Sequence, residues 1–94
     1  MAEDTAVAND PIELARRRMR FRCWHRGTKE LDLLMGPFAD RNIDAMSGPQ
    51  LAELERLLML PDLDLYNWIT RQAPVPEDQA CEVLDRIIEF HHRS

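Results

Sequence analysis

The side chains in this chain best suited to covalent or metal chemistry are Cys23, Cys81, His25, His91 and His92. A thiol enzyme needs its cysteine within hydrogen-bond reach of a base. Cys23 and His25 are two positions apart, which on a helix turns them about 200° from each other, so they cannot form that pair within one element. The five residues also contain no CxxC and no HxxxH spacing, the ligand pairs of zinc centres. No glycine-rich loop of the phosphate-cradling kind occurs either. What is left is the chemistry of recognition, and it concentrates in one stretch, CWHRGTKELD, Cys23 to Asp32.

That stretch closes a basic run. Between Arg16 and Lys29 there are seven basic residues (Arg16, Arg17, Arg18, Arg20, Arg22, Arg26 and Lys29) and no acidic one, in a chain whose formal net charge is −5. One basic element therefore sits on an acidic body. Such a run is either a solvated face complemented by the rest of the domain or a docking surface for an acidic partner. With Phe21 and Trp24 interleaved, it could also track phosphates and stack bases as a nucleic-acid-binding helix. The acidity of the remaining helices opposes that last use beyond a narrow contact.

At the end of the run, Arg26-Gly27-Thr28-Lys29-Glu30 has the composition of a corner between two helices. Gly27 can end the first helix in the left-handed conformation or act as N-cap of the second. In the second case Glu30 stands at the third helical position, where its carboxylate reaches back to a backbone N–H, and Arg26 lies favourably near the preceding C-terminus. Either way the corner presents an arginine and a carboxylate on a rigid element, which a specific polar docking surface requires.

The elements that position this corner follow from apolar spacing. Asp10 caps, Pro11 suits the first helical position and Glu13 completes a capping box; Ile12, Ala15, Met19 and Cys23 then share one face. Phe21 and Trp24 lie off that face and either pack against a second neighbour, the expectation for large aromatics, or belong to a contact surface. A second helix carries Leu31, Leu34, Met35 and Phe38, with a kink expected between Leu33 and Pro37 and an end near Asp44. Ser47-Gly48-Pro49-Gln50 opens a third helix that buries Leu51, Leu54, Leu57 and Leu58, and Pro61 closes it. Asp62 and Asp64 bring negative charge to the start of a short fourth helix with Leu65, Trp68 and Ile69 inward. After the APVPED loop, Ala80, Val83, Leu84, Ile87, Ile88 and His91 form the stripe of a fifth. The fold class is all-α, a compact five-helix, mostly antiparallel bundle. Residues 1–9 lack apolar periodicity and are expected to form a disordered tail, leaving residues 10–94 as a single helical domain.

With 45% hydrophobic and 31% charged residues, the composition is that of an ordinary globular protein. The apolar runs are too short to span a bilayer of about 30 Å, and the acidic start MAEDTAVAND resembles neither a secretory signal nor a transit peptide. The reading is a cytoplasmic protein without membrane insertion. Cys23 and Cys81 fall on faces that read as buried, as two reduced core thiols rather than a disulfide.

On these residues the chain resembles the SdhE-type succinate dehydrogenase assembly factors. The resemblance runs from about Arg16 to Trp68. Its most specific element is the R-G-x-x-E motif, Arg26-Gly27-Thr28-Lys29-Glu30, continuing as Leu31-Asp32 and Gly36-Pro37-Phe38, with DLYNW, Asp64 to Trp68, downstream. The resemblance implies a helical chaperone that docks on the flavoprotein subunit of succinate dehydrogenase, and in bacteria on that of fumarate reductase, and promotes covalent attachment of FAD. The bond between the flavin 8α-methyl carbon and a histidine would be made within the partner. The chain would then be no enzyme, hold no cofactor of its own and be a monomer when free. Its candidate partner-binding residues are Arg22, His25, Arg26, Gly27 and Glu30. Some members of the family are described as antitoxins of a toxin–antitoxin pair, a role nothing in these residues selects. Trp68 is assigned to packing.

Overall fold

The computed structural model describes residues 10–93, so the expectation for the first nine residues lies outside the described part. Five α-helices carry the chain: α1 Pro11–Trp24, α2 Lys29–Asn42, α3 Gly48–Leu57, α4 Asp62–Ile69 and α5 Glu82–His92. Two 3₁₀ turns, Ile43–Ala45 and Glu77–Gln79, complete the connections, and no strand occurs among the described residues. The class is all-α, as the apolar spacing requires.

The starts of α1 and α3 have local causes, whereas the Val83 N–H in the first turn of α5 is met by Glu53 Oε1 of α3 at 3.1 Å. The Asp10 carboxylate accepts from the Ile12 N–H ahead of Pro11, while Glu13 turns to Arg16 at 3.1 Å. Ser47 and Gln50 make the reciprocal pair of a capping box at α3, with the Ser47 N–H donating to Gln50 Oε1 at 2.9 Å. Helix α2 continues through Gly36-Pro37 to Asn42, and its last turn tightens into the 3₁₀ segment.

The core draws on all five helices. Met19 and Cys23 of α1 join Leu31, Met35, Phe38 and Ala39 of α2, Leu51, Leu54 and Leu57 of α3, Leu65, Trp68 and Ile69 of α4 and Val83, Leu84 and Ile87 of α5, and Ile43, Met46 and Leu58 from the connections complete it. Helix α1 packs on α2 and α3, α2 also on α4 and α5, and α5 on α3 and α4. Full burial of one such aliphatic side chain is worth roughly 1.5–3 kcal/mol, so the corner between α1 and α2 is anchored on both sides by core contacts.

Several expectations change here. The α5 stripe is narrower than its sequence suggested: Ala80 precedes the helix and is exposed, as is His91, whereas Phe90, one position before, packs edge-on against Phe38 at 5.7 Å between ring centres. The last turn stays docked, with the His92 ring 2.8 Å from the Ile69 carbonyl, but it is Phe90 and not His91 that meets the core. Cys23 is fully buried, but Cys81, at the α5 N-cap, is partly exposed. Burial pushes the Cys23 thiol up to about 12, which keeps it protonated and inert. Trp24 finds its second neighbour. Its indole lies on Gly36, where an added Cβ would come within 2.3 Å of the ring, and its Nε1–H donates to Asp40 at 3.2 Å. Phe21 does not; it stays 65% exposed, with its ring 4.3 Å from that of His25.

Candidate functional site

The α1–α2 corner is built from both ends. Helix α1 ends at Trp24 with His25 as C-cap, and Gly27 takes φ +110°, a conformation that L side chains rarely adopt. The space around it is open, since the nearest atom to an added Cβ would be Asp62 Oδ2 at 3.9 Å. Gly27 is therefore required by backbone conformation rather than by crowding. The N-cap of α2 is Thr28, whose hydroxyl accepts from the Leu31 N–H at 3.4 Å. That shifts the frame by one residue: Glu30 stands at the second helical position, so the capping box drawn between Gly27 and Glu30 does not form. Glu30 is exposed and has no ion pair among the described residues, although its charge still suits the helix start.

Arg26 turns the other way. Its side chain is only 12% exposed, and its guanidinium donates to the carbonyls of Leu58 and Leu60, the latter at 2.9 Å, and to the Asp62 carboxylate. It thus satisfies carbonyl oxygens left without partners just beyond α3, where a cation also suits the helix dipole, and binds the first residue of α4. Its backbone N–H donates to Asp32 Oδ1 at 2.6 Å, closing the corner on α2. One arginine accordingly fastens the α1–α2 turn to the α3–α4 turn. The arginine and glutamate of the motif do not stand side by side as one polar patch: Arg26 is the strut and Glu30 the exposed group.

The rest of the basic run is divided in the same manner. Arg16 donates to the carbonyls of Ile43 and Met46 as well as to Glu13. Arg20 pairs with Asp44 at 3.1 Å and lies 3.7 Å from Asp40, and Arg22 lies 3.7 Å from Glu55. Arg17 and Arg18 are exposed, with no ion pair among the described residues. Most of the run is complemented by the acidic body. His25 is exposed beside Phe21, on the solvent side of the corner.

Sequence reasoning missed Asp32 and Asp62 as partners of Arg26. Asp62 was legible only as negative charge at a helix start, because its partner is 36 positions away. It also missed an open groove of about 450 Å³ beside the corner, lined by Thr28, Glu30, Asp62, Leu63 and Tyr66. Among the described residues no cluster of three or more His, Cys, Asp or Glu is placed to hold a metal ion, and no helix is long and apolar enough to cross a membrane.

The family model described as "Flavinator of succinate dehydrogenase" (Sdh5) matches residues 17–91, the whole of the core and the corner. The chain belongs to this family. It is 40% identical over 85 residues to the FAD assembly factor SdhE of Acetobacter pasteurianus, covering 90% of this chain and 78% of that protein. It is also 40% identical over 80 residues to the mitochondrial succinate dehydrogenase assembly factor 2 of Dictyostelium discoideum, and 34% identical over 85 residues to that of Danio rerio. These alignments cover 85% and 88% of this chain but only 56% and 54% of the two mitochondrial proteins. No solved structure is a significant match.

Proposed function

We propose that this flavinator-family chain promotes covalent flavinylation of the succinate dehydrogenase flavoprotein subunit by docking on it through the α1–α2 corner. The observation that supports the reading is the division of labour at the corner. Arg26, with its side chain only 12% exposed, holds the turn, Gly27 leaves backbone open to close approach, and Glu30 and His25 face solvent. Glu30 makes the charge-assisted contact with the partner, and Arg26 acts as a positioning residue. His25 and Arg22 lie on the adjoining end of α1 and border the contact.

Docking on this reading biases the flavoprotein toward a conformer in which the flavin 8α carbon and the acceptor histidine stand in near-attack geometry. A ligand shifts such an equilibrium only through its differential affinity for the two conformers, so the corner must fit the flavinylation-competent one better. The chain contributes no catalytic group and no cofactor; FAD and its acceptor belong to the partner, and the flavoprotein of fumarate reductase is a second client. It acts as a free monomer in the compartment where the flavoprotein is matured.

The test is covalent flavin on the flavoprotein subunit, read as fluorescence of the denatured band with the wild-type chain, without it, and with Glu30→Ala. Flavinylation should depend on the wild type and fall with a folded Glu30→Ala protein. Equal fluorescence in the three samples would refute the reading.

A further inference from the structure

The groove beside the corner has walls of unlike character. On one side the Glu30 carboxylate stands exposed in the first turn of α2, and on the other Leu63 of α4 is 68% exposed above Tyr66. Asp62 also lines it, with its Oδ1 held by Arg26. Leu33, 56% exposed, is one helical turn beyond Glu30 and continues the apolar rim along the same side of α2. Leu63 and Leu33 are, with Leu14, Phe21 and Met59, the large apolar side chains left exposed among the described residues.

We infer that this groove receives a cationic side chain, an arginine in first preference, from the segment of the flavoprotein subunit that meets the corner. The inference rests on the docking reading above and names the chemistry of its contact. The charge of the lining selects the sign of the occupant: Arg26 already holds Asp62, so Glu30 is the lining carboxylate with no ion pair among the described residues. Leu63 offers an apolar surface to the methylene stem of a long cation, and the face of the Tyr66 ring attracts its charged head. A guanidinium fits better than an ammonium because it can meet a carboxylate in a bidentate pair and stack on a ring at once. An acidic occupant would meet the unpaired Glu30 carboxylate, and a wholly apolar one would leave it desolvated and unsatisfied.

Leu63 is the position to test, because it is exposed and makes no hydrogen bond the fold depends on. Binding of the FAD-loaded, not yet flavinylated flavoprotein subunit is measured for wild type, Leu63→Lys and Leu63→Glu at low and high salt, with thermal unfolding confirming that both variants fold. A cation placed in the groove repels a cationic occupant, so Leu63→Lys should bind at least about tenfold more weakly than Leu63→Glu, and the gap should narrow in salt. Equal affinities for the two variants, whether both match wild type or both fall together, would overturn the cationic occupant. So would tighter binding by Leu63→Lys. Wild type that fails to bind would overturn the docking reading itself, and the inference with it.

Discussion

Replacing Arg26 by alanine separates a strut from a contact residue. The substitution leaves the carbonyls of Leu58 and Leu60 and the Asp62 carboxylate without their donor, and removes a side chain that is 12% exposed. Removing one partner of a buried ion pair costs about 3–5 kcal/mol. Asp62 is 32% exposed, so water recovers part of its solvation, and about 3 kcal/mol is the expected loss. A domain of this size has on the order of 5–14 kcal/mol of stability in all, at roughly 0.05–0.15 kcal/mol per residue. The midpoint of thermal unfolding, followed by circular dichroism at 222 nm, should therefore fall by about 12–24 °C, at about 4–8 °C per kcal/mol. Asp62→Asn keeps an acceptor for the guanidinium and should lose less, about 1–2 kcal/mol. An Arg26→Ala protein that melts within about 2 °C of wild type and yet fails to support flavinylation would refute the strut, and place Arg26 among the residues that touch the partner.

Glu30→Ala is the counterpart: its loss of helix-dipole interaction is worth about 0.3–1 kcal/mol, so the melting midpoint should fall by no more than about 4–8 °C while flavinylation is lost. Gly27→Ala meets no steric obstacle but must adopt a left-handed backbone; urea unfolding should show a loss of about 1–2 kcal/mol. Gly36→Ala pushes a methyl into the Trp24 indole and should cost about 1–3 kcal/mol, with the near-ultraviolet signal of the indole altered and the helical signal kept. The Cys23 thiol should resist a thiol reagent in the native state while Cys81 reacts. Because its folded pKa of about 12 lies above the ordinary 9.0, its protonated form stabilises the fold fully below pH 9 and loses that contribution as pH rises from 9 toward 12. The urea midpoint of wild type should fall more steeply over that range than that of Cys23→Ala.

The sequence by itself determined the five helices and where α1 and α3 begin. Asp10-Pro11, Ser47-Gly48-Pro49-Gln50 and the prolines after α3 and α4 act within a few residues, and the i, i+3, i+4 spacing of Leu31, Leu34, Met35 and Phe38 marks a buried face without knowledge of its neighbour. It also located the corner, because a glycine with φ > 0 between two periodic segments is a local requirement. Its resolution ended where local options were equal. Gly27 and Thr28 are both acceptable N-caps, and the one-residue difference decided that Glu30 would face solvent without closing a capping box. The α5 stripe included His91 and passed over Phe90 because both stand at helical spacing from Ile87, and only the packing of Phe38 from α2 decides which of them is covered. The rest was decided by tertiary structure alone. Arg26 reaches Leu58, Leu60 and Asp62 across 32 to 36 positions, the Trp24 indole needs the bare backbone of Gly36, and the groove exists only because α2 and α4 are brought together. Hydrogen bonds and close packing depend on distances in space, and sequence spacing fixes those only within one element.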